Sequence, residues 1–253
     1  MKYIRHQECE IEINEEKFFA KSANLSSSSN LDSNRTYGGE LRPYLATSPV
    51  SATVGFDYYL TGKNDSIAFL TGNIPCSGRF CGIEFSGAYL TNYAIEIRPY
   101  KPVSFSASFD IYSGFSQETK TGSFKSDPIK VANGAYTELN NFNKNNIGMD
   151  FPQEISYSVQ CERVPNYVIG QEHPMDVRLG QINKEISIKG ENIGSVINYS
   201  GRDFAKITIS PKNIDYAARG QELTCEGMIQ SQNLDISSNG LLNGSVSIIE
   251  NVR

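Results

Sequence analysis

From Cys81 to Gly114 the chain reads CGIEFSGAYLTNYAIEIRPYKPVSFSASFDIYSG, and apolar and polar residues alternate along most of it. Ile95 and Ile97 alternate with Glu96 and Arg98, and Phe105, Ala107, Phe109 and Ile111 alternate with Ser104, Ser106, Ser108 and Asp110. A period of two belongs to a strand with one dry face and one wet face, and no helical period runs through the stretch. Pro99-Tyr100-Lys101-Pro102 separates the two runs, and its prolines lack the N–H that a ladder needs, so it predicts a turn. Ile83 and Phe85 alternate with Gly82, Glu84 and Ser86 and predict one more strand ahead of that hairpin. The expected unit is a three-stranded meander.

The same alternation recurs along the chain. Cys9 to Asn14 (CEIEIN) predicts a short strand closing on a turn-prone Asn-Glu-Glu, and Phe18 to Leu25 follows it. Ser26-Ser27-Ser28-Ser29-Asn30 is too small and polar to pack a core, so from there through Gly38-Gly39 to Glu40 a long exposed loop is expected. Val50 to Leu60 predicts a strand with Ala52, Val54, Phe56 and Tyr58 on one face, and Ser66 to Leu70 a shorter one. Gln117 to Asp150 is rich in Lys, Ser, Gly and Asn, with Asn140, Asn141, Asn143, Asn145 and Asn146 crowded together. Asparagine accepts left-handed backbone and competes with ladders, so this segment predicts turns that connect two halves.

After that connection the pattern restarts. Ile155 to Cys161 alternates as Ala20 to Ser26 does, and an aromatic loop follows in each half, with Tyr167 in one and Tyr37 in the other. Glu185 to Lys189 stands where Ala52 to Phe56 would fall, and Ala205 to Ser210 is a further strand. Asn213 to Arg219 predicts one or two helical turns, capped by Asn213 and ended by Gly220. Leu223 to Val252 then resembles Cys81 to Gly114: Cys225 corresponds to Cys81 and Leu234 to Leu90 at one common offset. Asn239-Gly240 replaces the proline turn, and Val246, Ile248 and Glu250 run out as the last strand. The shared order predicts an internal duplication: residues 1–116 as a first β domain, 117–150 as an Asn-rich connection, and 151–253 as a second, divergent β domain. The fold class is all-β, with at most short helices.

Composition narrows the function classes. At 253 residues the chain is long enough for one large all-β unit or for two domains. No window holds the roughly 18 unbroken apolar residues of a membrane helix, and the N-terminal MKYIRHQECEIEIN has no apolar core of an export signal. The formal charge is −5 with no basic block, which argues against tight binding to nucleic-acid phosphates. Five cysteines (Cys9, Cys76, Cys81, Cys161 and Cys225) form an odd set, and reduced, mostly buried thiols are expected rather than a zinc site.

Few residues have the means for catalysis. A nucleophile needs a base beside it, and the two histidines, His6 and His173, stand in plain loop contexts. No Gly-x-Ser-x-Gly, phosphate-binding Gly-Lys-Ser/Thr or His-Glu-x-x-His motif occurs, so no catalytic, cofactor or metal residue is assigned. Glu84, Glu96 and Asp110 are carboxylates of the kind a glycosidase pairs, but each falls on a polar alternation position, where a solvated strand face is the expected environment. Tyr89, Tyr93, Tyr100 and Tyr112 form either a sugar-stacking patch or ordinary strand packing and subunit interface. Asn24, Asn64, Asn198 and Asn243 each fit Asn-x-Ser, which means little without an export signal.

FFAKSANLSSSSNLDSNRTYGG, SATVGFDYYLTG and the stretch from Cys81 to Gly114 together resemble the tail-tube proteins of long-tailed bacteriophages. That family shares its fold with other injection-tube and baseplate-hub components. The likeness is carried by residues 9–114 and extends weakly over 151–252. It implies two β-sandwich or barrel halves of the tail-tube type, and a structural, non-enzymatic role in the virion tail after synthesis in the host bacterial cytoplasm. Rings would stack into a tube that conducts DNA during ejection without binding it specifically, and a duplicated chain would form trimers that mimic the hexamers of single-domain members. Sheath, baseplate, terminator or tape-measure proteins would be its neighbours, with no membrane and no cofactor. Residues 22–48 and 115–150 would reach between rings. The Asn-rich middle and the poor second copy depart from the simple pattern and suit a specialised tube-end, baseplate or neck ring. Two other readings stand beside it: a virion surface or receptor-binding β-sandwich, such as a capsid decoration protein or adhesin, and a carbohydrate-active enzyme or lectin.

Overall fold

A computed structural model describes residues 11–29, 31–32, 45–46, 49–60, 65–117, 131–140, 149, 151–191, 204–215, 217–218, 220–236 and 242–252. The described chain is almost entirely antiparallel β, with one short 3-10 helix, Ile67–Thr71, and no α-helix. Ser66 to Leu70, expected as a strand, forms that helix instead. Asp65, whose side chain accepts the Ile67 N–H at 3.1 Å, turns the backbone there.

The N-terminal half closes on itself. Strands β1 (Ile11–Ile13), β2 (Glu16–Ser28), β5 (Ser51–Tyr59), β6 (Cys76–Phe80), β7 (Ile83–Ile97) and β8 (Ser104–Ile111) pair in the circuit β7-β6-β1-β2-β5-β8 and back to β7. This circuit closes a barrel, in which the side of β2 facing β1 has a ladder partner only from Glu16 to Phe18 among the described residues. Two tight reversals need left-handed backbone at both central residues: Asn14-Glu15 (φ 48° and 69°) between β1 and β2, and Cys81-Gly82 (φ 50° and 83°) between β6 and β7. Such turns match the twist of the strands they join. The interior is aromatic. Phe18 lies 5.1 Å from Tyr58, Tyr58 lies 5.4 Å from Phe105, and Phe56 stacks on Phe109 at 6.3 Å.

The expected meander is corrected at its first strand. Ile83, Phe85, Ile95 and Ile97 all belong to one 15-residue strand, β7. Its buried set switches parity twice, at Gly87 (φ +59°) and between Leu90 and Asn92, where the register against β8 shifts. A bulge adds one residue and turns the following side chains to the other face, which makes one strand read as two. The strand that completes the unit is β6. Ser26 to Ser28, expected in a loop, continue β2 and pair with Thr53, Ala52 and Ser51. Their exposure is as expected, but their backbone is ladder, so the proposed contact segment 22–48 begins inside the barrel wall. Asn30 and residues 33–44 lie outside the described residues, while β3 (Leu31–Asp32) pairs with β4 (Leu45–Ala46).

The C-terminal half is an open sheet grown from the barrel. Residues Asn92 to Ile97 of β7 also pair with β11 (Phe151–Asn166), on the side of β7 that β6 uses further up. From β11 the order runs through β12 (Asp176–Glu191), β15 (Leu242–Val252), β14 (Leu223–Ile236) and β13 (Phe204–Ser210) to β10 (Glu138–Asn140). Ile155, Tyr157, Val159, Ile186, Ile188, Val246 and Ile248 point to one face and join the barrel interior in a single apolar cluster. Cross-strand ion pairs lie on the other, Lys189–Glu154 at 3.2 Å and Lys206–Glu226 at 2.7 Å among them, while Lys184–Glu250 at 2.8 Å closes the end of the apolar face. The backbone pairing of β7 with β11 runs across the boundary between the two expected domains. β9 (Phe115–Gln117), which reaches the expected connection only at Gln117, pairs with β7; within that connection Asn140 is ladder rather than turn, and Asn141, Asn143, Asn145 and Asn146 lie outside the described residues.

Three further expectations change. Asn213 begins a side-chain-capped turn, not a helix: its Oδ1 accepts the N–H groups of Asp215 (3.1 Å) and Ala217 (3.0 Å), and Lys212 bridges Ala218. Cys81 is disulfide-bonded, against the expectation of reduced thiols, while Cys76, Cys161 and Cys225 are buried free thiols; Cys9 lies outside the described residues. Third, Cys81 occupies a tight turn and Cys225 a buried strand position, and Leu90 is fully buried where Leu234 is 41 % exposed, so the aligned pairs do not share environments. Asn239-Gly240 and Tyr37 lie outside the described residues.

Candidate functional site

Beyond the contacts of β11 with β7 and of β12 with β15, the two strands run on as a ribbon paired only with each other, from Arg163 opposite Leu179 to Asn166 opposite Asp176. Alternation gives the ribbon two faces. Arg163, Val177 and Leu179 turn inward, and Val164 and Arg178 outward. A register shift between Cys161 and Arg163 lets the ribbon leave the sheet and lie over the 3-10 segment and β7. Arg163 fastens it there: Nε donates to the Leu90 carbonyl at 2.8 Å and Nη2 to the Leu70 carbonyl at 3.3 Å. Its guanidinium carbon stands 5.6 Å from the centre of the Tyr89 ring.

Tyr89 in turn packs edge-on against Tyr112, with centroids 5.9 Å apart. Tyr112 is the last wall residue before β8 gives way to β9, and its hydroxyl lies 3.5 Å from Asp110. Burial raises the Asp110 carboxyl above the ordinary range, opposed by the Tyr112 hydroxyl and the Arg163 charge. Burial likewise pushes the Tyr112 hydroxyl up to about 12. Asp110 is therefore half-buried and coupled to a ring, not the solvated face expected of it. The tip of the ribbon then returns over the barrel rim, and a groove of about 630 Å³ opens between Tyr167, Gln171, Glu172 and His173 on one side and Val50, Tyr112 and Phe115 on the other.

Of the four tyrosines singled out as a patch, only Tyr89 and Tyr112 come together. Tyr93 is buried inside the barrel, where it and Tyr58 both donate to Asp65 Oδ2, at 2.8 and 2.7 Å. Tyr100 projects from the β7–β8 turn, 85 % exposed. Glu84 is bound by Arg79 at 2.9 Å and Glu96 by Arg98 at 2.6 Å, so the three candidate carboxylates are dispersed into separate pairings. His173 lies in an exposed loop, as expected, and lines the groove; His6 lies outside the described residues. Sequence reasoning missed Phe115, Val50 and the Gln171–His173 loop. Only the chain reversal at Tyr167 brings them to Tyr112, and no local pattern signals it. Among the described residues no cluster of three or more His, Cys, Asp or Glu side chains is placed to hold a metal ion, and no helix is long and apolar enough to cross a membrane.

The second surface feature lies at the far end of the open sheet. β10 pairs only with Thr208, Ile209 and Ser210, so the outer edge of β13 from Phe204 to Ile207 has no ladder partner among the described residues. Phe204, 57 % exposed, stands directly opposite Met228, 48 % exposed, on β14. An unpaired edge beside an exposed apolar pair is a template for a further strand. No protein-family model and no curated protein matches this sequence.

Proposed function

We propose that the chain is a structural assembly protein of the tail-tube kind, whose copies associate into rings through the open end of the C-terminal sheet. The observation that carries this reading is the β13 edge, unpaired from Phe204 to Ile207 among the described residues, with Phe204 and Met228 beside it. A closed ring satisfies such an edge when each copy offers a second, complementary one, and the outer side of β2 beyond Phe18, without a ladder partner among the described residues, is of that kind. The short polar outer face of the barrel, with Ser22, Asn24, Thr53, Ser106 and Ser108, and the net charge of −5 suit a wall past which DNA phosphates slide without being held. In this role the chain is a virion component, stacked with copies of itself and with other tail proteins, and it turns over no substrate. The alternative, a virion surface or receptor-binding β module, is favoured by one feature only, the aromatic groove at the ribbon tip.

Negative-stain electron microscopy of the purified chain across a concentration series tests the proposal. Rings or hollow tubes are expected, and their rotational symmetry separates trimers from hexamers. A monomeric globule at every concentration rules the assembly reading out.

A further inference from the structure

The geometry points to a second role: we infer that the groove between the ribbon tip and the barrel rim binds a neutral saccharide. Its floor is the Tyr112 ring, and that ring is held before any ligand arrives. Tyr89 meets it edge-on at 5.9 Å, Arg163 lies over Tyr89 at 5.6 Å, and Arg163 is itself tied to the Leu90 and Leu70 carbonyls. A platform fixed in this way loses little entropy on binding. Phe115 and Tyr167, 39 % and 40 % exposed, add two more rings at the walls. Rings of this kind fit the C–H face of a pyranose, which is apolar, while its hydroxyls point outward around the edge.

The rim supplies what those hydroxyls need. Gln171, Glu172 and His173 are consecutive, exposed and directed to one groove, and they offer a carboxamide, a carboxylate and an imidazole. Together they provide both acceptors and donors, the set that adjacent hydroxyl groups require. Among the described residues no lysine or arginine lines the groove, so a phosphate, sulfate or uronic acid would meet Glu172 with no cation among them to balance it. The volume of about 630 Å³ falls within the range of small-molecule clefts. A proline-rich peptide also uses aromatic grooves, but it presents carbonyls rather than clustered hydroxyls and leaves the Glu172 acceptor unused. The inference does not rest on ring assembly. It concerns the ribbon tip, not the β13 edge.

The test is titration of the full chain with a panel of short neutral oligosaccharides built on glucose, galactose, mannose and N-acetylglucosamine. The chain has no tryptophan, so tyrosine emission reports the contact, with calorimetry beside it. At least one sugar is expected to bind in the millimolar range or tighter, and Tyr167→Ala and His173→Ala each to weaken it by about tenfold or more. Both positions are exposed, so neither change threatens the fold. Tyr100→Ala, on the distant turn, leaves binding unchanged. Absence of binding across the panel, binding that ignores both groove variants, or binding of a proline-rich peptide alone overturns the inference. Phe204→Lys separates the two proposals: it abolishes assembly and leaves sugar binding intact.

Discussion

The two halves of the molecule are built from the same alternation and solve opposite problems. In the barrel, each strand from β1 to β8 that enters the circuit has a neighbour on both sides, and the aromatic interior is sealed. In the C-terminal sheet the ladder advances strand by strand from β7 and stops at β13, which a three-residue strand covers only in part. One half joins its strands into a circuit, although β2 beyond Phe18 has β5 on one side and no ladder partner on the other among the described residues. The other half ends on the β13 edge, and that difference is what turns a β fold into a candidate building block. Closure gives stability to a single chain; an open edge gives a reason to assemble.

The contrast is sharpest in paired substitutions. Phe109→Ala, which empties a fully buried aromatic site in the barrel, is expected to cost about 3–5 kcal/mol in urea unfolding. Phe204→Ala at the sheet end should stay within about 0.5 kcal/mol in dilute protein and yet weaken association. Equal losses at the two positions would erase the distinction.

Glycines at close approaches come next. A Cβ at Gly78 would meet the Glu12 carbonyl and the Phe85 ring inside the closed wall, and one at Gly227 would meet the Ile249 carbonyl in the open sheet. Gly78→Ala is expected to destabilise by about 1–3 kcal/mol and Gly227→Ala by more, because the Cβ at Gly227 meets backbone alone, while part of the crowding at Gly78 comes from the Phe85 and Ile13 side chains, which can give. A smaller loss at Gly227 in the same unfolding assay would reverse that ranking.

A smaller effect is expected at Asp65, which holds the 3-10 segment to the barrel through Tyr58 and Tyr93. Burial raises its folded-state carboxyl above the ordinary value, against the bonds from the two tyrosines and from Ile67 N–H. The unfolded chain therefore releases this proton at lower pH than the folded one. The contribution is fully present below the unfolded pKa, near 4, and is lost as pH rises through the folded pKa. Asp65→Asn has no such titration, so its stability should gain on that of the wild type as pH rises through this window. A difference between the two that stays constant with pH contradicts the assignment. Smallest of all, Lys206→Ala removes an exposed pair with Glu226 (2.7 Å) and should change stability by about 0–1 kcal/mol, less at high salt.

Legibility followed the regularity of the strands. β5, β8 and β13 carry unbroken alternation, and the faces expected for Ala52 to Tyr58 and Phe105 to Ile111 are the buried ones. β7 reads as two strands because Gly87 and the shift after Leu90 each move the dry face across the strand. Ser26 to Ser28 looked like loop because side-chain polarity reports exposure and not backbone pairing. Tyr89 and Tyr112 were visible as a possible patch, but Tyr93 lies between them in sequence and ends up inside the barrel. The rest of the groove comes from segments far apart, joined by a ribbon whose path depends on Arg163 reaching two carbonyls.

Amide hydrogen exchange of β13 and the barrel strands, compared between dilute and concentrated protein with Phe204→Lys as the dissociated reference, bears most directly on the open edge. The amides of Phe204–Ile207 that point away from β14, which alternate with those bonded to it, are expected to exchange readily when dilute and to gain protection on concentration, while β5 and β8 stay protected throughout. Protection of those outward amides that is independent of concentration, and the same in the variant, would contradict the assembly role given to that edge.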